Sequence, residues 1–592
     1  MVQMLEYPFD VTQIYRYKRR LKKELEQQMN NPIQIKIAVL GGSTTHNIVE
    51  MLNLFLLKNN IKADFYQSEY AQYWQDAIFG NEVLDNFKPD IIYIHTSNRN
   101  ISGYPDITFS PNDTKELLDS QFSYFEKMWS TLCEKFQCPI IQNNFEMLFY
   151  RLLGNRDSYD WRGKNHFIEK LNEKLYEYAE KNSNFYINDI HYISASYGLE
   201  QWHNLNDWYN YKYAMSIEAI PSLALNLASI IKAIYGKNKK FLSIDLDNTL
   251  WGGVVGDDGV NAIEIGNETH EGQAYLEFQK YLAEIKKNGI VLTVNSKNDM
   301  ENAMAGLQHP EGVLKPEEFA VIKANWDNKN SNIVETAHEL QLGVDSCVFL
   351  DDNPVEREIV ATSLPGIAVP ELKDVGSYIK VIDKNAYFEM VNISSDDIRR
   401  SEMYQENALR QRLQHEFVDY SEFLKSLQMK AEIHTFSDLF LPRIVQLINK
   451  SNQFNLTTKR YNMAEIEGML EQDNYLCIYG RLEDKFGDNG IVAISIGRLE
   501  RNTMYIELWL MSCRVLKRNM EHAMMDEFIH LSKAKGATEI VGIYYPTAKN
   551  SMVSNFYGEM GFELIQKTEE ETRWKLSLDE YENKNLVIQV NE

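Results

Sequence analysis

The residues best suited to chemistry sit in the middle of the chain. Asp245 and Asp247 end the apolar run FLSIDLD (241–247). Side chains two apart on a strand point the same way, so both carboxylates can face one pocket as the strand runs out. A bare Asp-x-Asp more often merely flanks a turn, but here it has company. The run GIVLTVNS ends in Asn295-Ser296-Lys297, the segment NWDNKNSN carries Lys329, and SCVFLDD ends in Asp351-Asp352-Asn353-Pro354. One strand end thus offers a nucleophile, another a hydroxyl, a third a metal-binding carboxylate, with a lysine nearby. These are the parts of a phosphoryl-transfer site. A carboxylate attacking a phosphate sets anion against anion, at roughly 4 kcal/mol per like-charge pair at about 4 Å and an effective dielectric near 20. A magnesium ion held by hard oxygen ligands, and a lysine ammonium, offset that repulsion and stabilise the transition state.

The elements that must position these groups are those of parallel-sheet α/β architecture. A charged helical lead-in (1–33) breaks at Asn30-Asn31-Pro32. The stretch IKIAVLGGSTTHNIVEMLNLFLLKN (35–59) follows, an apolar run ending in Gly41-Gly42-Ser43 and leading into an amphipathic helix, the first βα unit of an α/β domain over 34–236. IIYIHT (91–96) and PIIQNN (139–144) are further buried strands of that domain. A second α/β domain (237–390) holds the three runs named above, with functional groups at the carboxyl edge of a parallel sheet. A charged helical connector (391–428) leads to a mixed α+β domain (429–592), where YLCIYGRL, GIVAISIGRL and MYIELWLMS alternate with helices.

The chain has 592 residues, enough for three or four domains, and its 44% hydrophobic and 25% charged content is that of a globular protein rather than a disordered one. A net charge of −24 argues against general nucleic-acid binding or an anionic membrane as partner. Five cysteines lie scattered without zinc-ligand spacing. The start lacks the apolar core of a signal peptide, and no run of about 18 apolar residues occurs, so a cytoplasmic location is expected.

Together the Asp-x-Asp-x-Thr strand, the later Ser and Lys, and the Asp-Asp pair resemble the haloacid dehalogenase (HAD) superfamily of aspartate-nucleophile phosphohydrolases. SIDLDNTLWGGVVGDDG, NSKND, NWDNKNSNI and FLDDNPVERE resemble one branch more closely, the FkbH-like family of glyceryl-loading enzymes in polyketide pathways. The resemblance implies Asp245 as nucleophile and Asp247 as general acid. Ser296 and Lys329 would hold the phosphoryl group. Mg2+ would lie on Asp245, Asp352 and the backbone carbonyl of Asp247, with Asp351 orienting Lys329 or a metal-bound water. Thr249, Asn295, Lys297 and Asp351 would line the substrate. Trp251 to Asp257 would form a flap that excludes water. One departure stands out: Asn295 occupies the position before the Ser-Lys-Asn run where glyceryl-transferring members often carry a cysteine. Cys347 reads as core, and Cys513 is a weaker substitute.

The last domain resembles a GNAT acyltransferase fold through LPRIVQLINKSNQFNLTTKRY, KFGDNGIV, MSCRVLKRNMEHAMMDEFI and NSMVSNFYGEMGF. Its ligand loop is Arg514-Val515-Leu516-Lys517-Arg518-Asn519, where Lys517 and Asn519 replace the usual glycines, so close backbone approach to a coenzyme A pyrophosphate is not expected. Arg514, Lys517 and Arg518 could grip the single phosphate of a carrier protein's phosphopantetheine arm, or form a solvated loop. Asn452, Gln453 and Asn455 are either arm contacts or helix caps. In the first domain Gly41-Gly42-Ser43-Thr44, Thr96-Ser97-Asn98 and Asp189-Ile190-His191 resemble the blocks of SGNH esterases with the catalytic pattern broken, which implies a non-catalytic docking version of an SGNH/flavodoxin-like sheet; His46 and His203 read as structural. The expected function is a phosphatase-acyltransferase taking a phosphorylated three-carbon metabolite, 1,3-bisphosphoglycerate as the resemblance implies, and loading an acyl carrier protein. Such a carrier is acidic, so docking needs a local cationic face, for which Arg399, Arg400, Arg410, Arg412, Lys517 and Arg518 are candidates. A simple Mg2+-dependent small-molecule or sugar-phosphate phosphatase is the alternative, and a scaffold with a dead site a third reading that the intact residue set opposes.

Overall fold

A computed structural model describes residues 2–591, apart from 392–398, 400–402, 405, 408–409, 411–412, 415, 452, 548–549 and the side chains of Val2, Cys513 and Glu580. The chain divides into two compact units, one of Met1–Ile234 with Asn462–Ile466, the other of Tyr235–Tyr461 with Glu467–Glu592.

The first unit is built on five parallel strands, β1 (Ile33–Gly41), β2 (Ile61–Gln67), β3 (Ile91–His95), β4 (Ile140–Asn143) and β5 (Phe185–Asn188), in the order β2-β1-β3-β4-β5. Every residue of β3 and β4 is buried, as expected of strands covered on both faces. Helices His46–Lys58 and Ile220–Ile234 carry dense apolar faces. The span Ile217–Ile234 is long and apolar enough to cross a membrane, yet 72% of it is buried in the protein. Helix Pro111–Phe136 starts in a capping box. Ser110 Oγ accepts from Asp113 N, Asp113 accepts in return from Ser110 N at 2.8 Å, and Pro111 takes the first turn, where no donor is missed.

The second unit holds two sheets. The first has four parallel strands, β6 (Phe241–Ile244), β7 (Val291–Ser296), β8 (Val321–Ala324) and β9 (Cys347–Leu350), in the order β8-β7-β6-β9. Strand alternation splits its side chains between two cores. Leu242, Ile244, Leu292, Val294, Val348 and Leu350 pack with Trp251 and Phe278, while Phe241, Val291, Cys347 and Phe349 pack with Ile333 and Ala337 on the other face. Both faces are thereby used up, and polar groups are left for the strand ends.

The other sheet has eight strands: β10 (Lys430–Thr435), β11 (Tyr475–Asp484), β12 (Gly487–Glu500), β13 (Thr503–Met511), β14 (Glu539–Tyr544), β15 (Glu563–Lys567), β16 (Thr572–Ser577) and β17 (Gln589–Asn591). Their order is β15-β16-β14-β13-β12-β11-β10-β17, antiparallel except at β13/β14 and β10/β17. Helix Met520–Ala534 buries Met520, Ala523, Met524 and Phe528 in the core of this α+β region. The connector expected at 391–428 lies partly outside the described residues, Arg400 and Arg412 among them.

Candidate active site

All the implied catalytic groups gather at the carboxyl edge of the four-stranded sheet. Asp245 follows β6, its backbone N–H held by Leu350 O at 2.9 Å. Asn248 then takes a left-handed φ of 55°. Its side chain accepts from Gly253 N at 2.9 Å, and its carbonyl accepts from the Tyr275 and Tyr378 hydroxyls. The chain therefore leaves the sheet directly after Asp247. Ser296 ends β7 and is buried, and Asp351 and Asp352 follow β9.

Lys329 opens helix Lys329–Glu339 with its side chain buried between two carboxylates, Nζ lying 3.0 Å from Asp245 Oδ1 and 2.5 Å from Asp351 Oδ2. Burial works against its charge, but Asp245 and Asp351 together hold its pKa above the ordinary lysine value. Burial, then the charge of Asp245, raises the carboxyls of Asp351 and Asp352. Carboxylate oxygens of Asp245, Asp351 and Asp352 all lie within 4.8 Å of one another. Three carboxylates against one ammonium leave uncompensated negative charge, and a hard divalent cation with oxygen ligands fits that set.

Asp247 is turned differently. Its Oδ1 accepts from Trp251 Nε1 at 2.9 Å and from Val255 N at 3.0 Å, and its Oδ2 accepts from Asn298 Nδ2 at 2.9 Å. These donors orient its carboxyl, which stands outside the cluster of Asp245, Asp351 and Asp352, and the metal contact implied for Asp247 is its backbone carbonyl. Burial raises its pKa, opposed by the bonds from Val255 and Trp251. Trp251 is itself fully buried, so the expected flap is anchored at its base by that ring, with Gly252 paired to Glu264. Asn298 is a site residue that the reading of the motif passed over. It stands two residues beyond Ser296, and the only signal for it was its place in NSKND.

Three of the implied substrate contacts have partners within the protein. Thr249 is fully buried and its hydroxyl accepts from Asp352 N at 3.0 Å, so it positions that carboxylate. Asn295 donates to Lys329 O at 3.0 Å and accepts from Asn332 Nδ2 at 3.1 Å, which fixes the start of the lysine helix and engages both ends of its amide within the protein. Lys297 pairs with Glu356 at 2.6 Å.

The arm-binding residues also differ from expectation. Arg514 and Arg518 are buried. Arg518 Nη1 lies 3.0 Å from Asp484 Oδ2, and Arg410 makes a two-pronged bond to the same carboxylate, so their charge is consumed inside the fold. Arg399 lies within 4.0 Å of Asp488 and 3.8 Å of Glu406, and Lys517 is exposed. Asn455 is fully buried; its side chain closes a turn onto Thr458 N at 2.8 Å. Gln453 is half-buried, and Asn452 lies outside the described residues. The parallel pairing of β13 with β14 stops at Ile506 and Gly542. Beyond it the chain's own segment Phe454–Leu456 bridges the two strands. Phe454 O accepts from Met511 N, Leu456 N donates to Trp509 O, and Leu456 O accepts from Tyr545 N. These three backbone bonds close the space between the two strands there with the chain's own segment.

The family model described as the FkbH N-terminal domain matches residues 36–232. A crystal structure of the N-terminal part of the protein BF1531 from Bacteroides fragilis, containing a phosphatase domain and complexed with Mg, is 31% identical, with a TM-score of 0.58 over 63% of this chain and 99% of that one. The chain belongs to the FkbH-like family. Its four-stranded sheet is that of a HAD-type phosphatase, and the enzyme class follows from it. Weaker likenesses fall on about a quarter of this FkbH-like chain. They include the ribosomal-protein-S18-alanine N-acetyltransferase of Escherichia coli (11% identity, 25% of this chain, 94% of that one, TM-score 0.21). Another is the PaiA N-acetyltransferase of Thermoplasma acidophilum in complex with coenzyme A (14%, 25%, 99%, 0.21). No curated protein matches the chain.

Proposed function

We propose that this FkbH-like chain is a Mg2+-dependent phosphatase that acts in the cytoplasm on a phosphorylated three-carbon acyl substrate, 1,3-bisphosphoglycerate, and passes the glyceryl group to the phosphopantetheine thiol of an acyl carrier protein. The observation that carries the phosphatase reading is the Lys329 ammonium, set 3.0 Å from Asp245 inside a cluster of three carboxylates. Asp245 and Asp352, with the backbone carbonyl of Asp247, would hold Mg2+, as the oxygen-only donor set suits. When bound, the ion neutralises the carboxylates and the phosphoryl oxygens. Asp245 attacks the phosphorus of the 3-phosphate ester, and its bond to phosphorus forms as the bond to the leaving C3 oxygen breaks; the 1-acyl phosphate is kept for the carrier thiol, which attacks its carbonyl carbon as inorganic phosphate leaves. Asp247, oriented by Trp251, Val255 and Asn298, gives that oxygen a proton, then takes one from the water that releases phosphate. Ser296 and Lys329 hold the phosphoryl oxygens throughout.

A second reading, hydrolysis of a small phosphate ester without carrier loading, is favoured by two observations. Asn295 has no thiol and is bonded to the Lys329 backbone, and burial in the sheet pushes the Cys347 thiol up. Intact-protein mass spectrometry of a holo carrier after incubation with the enzyme, Mg2+ and 1,3-bisphosphoglycerate generated in situ decides between them. Carrier loading predicts a glyceryl mass on the carrier that is lost with Asp245→Asn. Phosphate release with a bare carrier favours hydrolysis alone.

A further inference from the structure

The first unit has polar groups that its own fold leaves unused, and they sit where an open parallel sheet offers a crevice. In the order β2-β1-β3-β4-β5 the connections leave β1 and β3 toward opposite sides, and ligands of such sheets bind beyond the carboxyl ends of the strands at that point. The turn after β3, Ser97–Asn100, reaches the loops on both sides of it. Toward β1, Asn100 donates to Gly42 O at 3.2 Å, so closely that a Cβ on Gly42 would stand 2.2 Å from Asn100 Nδ2 and displace that amide. Toward β4, Asn98 N donates to Glu146 Oε2 at 3.1 Å. Ser43, Arg99 and Glu146 thus come from three adjacent strand ends.

Each retains an unsatisfied atom. Ser43 is 4% exposed and Glu146 fully buried, yet Ser43 Oγ, Glu146 Oε1 and the buried Arg99 Nε have no hydrogen-bond partner. Leaving such groups unpaired costs about 1–3 kcal/mol apiece, and folded proteins rarely do so without a use for them. Among the described residues the Arg99 guanidinium meets no carboxylate. It stands instead over Trp208, 4.1 Å from the ring centroid, and its charge acts on Glu146 without an ion pair. Burial pushes the Glu146 carboxyl up to about 8, so at neutral pH its free oxygen carries a proton and donates rather than repels an anion.

We propose that the crevice between β1 and β3 is a second ligand site, separate from the phosphatase site, which binds the oxyanion group of a small molecule through the Arg99 guanidinium and the Ser43 hydroxyl. A phosphate ester and a carboxylate share this chemistry, and a planar guanidinium suits both. The reading is independent of the carrier-loading proposal, since none of its residues belongs to the phosphatase sheet.

Calorimetric titration of the full chain in EDTA, with inorganic phosphate and separately with acetate, tests it. Without metal the three clustered carboxylates of the phosphatase site disfavour an added anion. One saturable site is expected for at least one probe, weakened about tenfold or more by Arg99→Gln, the loss expected for a hydrogen bond to a charged group. Arg99→Lys should recover part of the affinity, and Ser43→Ala should lower it a few-fold. Binding of phosphate alone identifies a phosphate ester as the ligand class, and binding of acetate alone a carboxylate. Absence of saturable binding into the tens of millimolar overturns the proposal. So does binding that Arg99→Gln leaves unchanged in a variant whose thermal midpoint matches the parent's.

Discussion

The side-chain amide of Asn298 donates to Asp247 Oδ2 at 2.9 Å, completing a set of three donors around a carboxyl that turns away from the other acids of the site. The arrangement separates two jobs that neighbouring aspartates in one motif might otherwise share. Asp245 faces Lys329 and the carboxylate cluster, and Asp247, the proposed proton carrier, is held by other donors. Because Asn298 acts on the substrate only through Asp247, Asn298→Ala should lower kcat by about 10- to 100-fold, the worth of one hydrogen bond to a charged group, with KM changed little. Steady-state kinetics on an aryl phosphate measure this split. A rise in KM with kcat intact would place Asn298 on the substrate instead.

Lys329 is the only cation that pairs with the carboxylates of Asp245 and Asp351 among the described residues. Lys329→Met removes the phosphoryl contact and leaves two buried carboxylates uncompensated, a loss of about 3–5 kcal/mol for a broken buried pair. Activity should fall below detection and the thermal midpoint should drop. Added Mg2+ should then raise the midpoint more in the variant than in the parent, because the ion replaces missing positive charge. Equal Mg2+ shifts in a thermal-shift assay would mean that the lysine and the ion do not share the cluster.

Much of this site was legible because HAD-like chemistry depends on residues at strand ends, and apolar runs that stop in polar residues are visible in one dimension. The runs holding β6, β7 and β9 are of that kind. β8, with its half-buried VIKA, and β2, with alternating IKADFYQ, lack a continuous apolar run and were passed over. The errors arose where a partner far along the chain decides a side chain's fate. Arg514 and Arg518 read as a cationic loop because Asp484, some thirty residues earlier, gives no local sign of entering the same interior. Asn295 and Thr249 read as substrate contacts because proximity to a catalytic residue in sequence does not say which way a hydrogen bond runs.

Glu146 ties the stability of the first unit to pH. The folded chain keeps its proton up to about pH 8, whereas an unfolded glutamate releases it near 4.5. Between these values folding takes up a proton, so its contribution to stability falls as pH rises through that window and the deficit is complete above it. Glu146→Gln has nearly the same shape and no proton to lose. Its thermal midpoint should fall less than the parent's between about pH 5 and about pH 8. Parallel profiles for the two proteins would show that the carboxyl titrates normally in the folded state.

Asp484 decides what the arginines of the C-terminal sheet are for. Its fully buried carboxylate accepts from Arg410 Nε and Nη2 at 2.8 and 2.7 Å, from Arg518 Nη1 at 3.0 Å and from Phe486 N at 2.9 Å. Burial, and then the charge of Arg410, push the Arg518 pKa down to about 10, and the carboxylate of Asp484 opposes that shift. Asp484→Asn therefore strands two interior cations and should cost about 3–5 kcal/mol, whereas Lys517→Glu, on an exposed residue one position from Arg518, should change stability by less than about 0.5 kcal/mol. Denaturant midpoints for the two variants measure the contrast. The consequence reaches carrier docking: charge reversal at Arg518 would damage the fold before it reported on any partner, and only Lys517 of that pair can probe a surface. If Asp484→Asn were as stable as the parent, the arginines would have solvent access and could again be counted as candidates for gripping a phosphate.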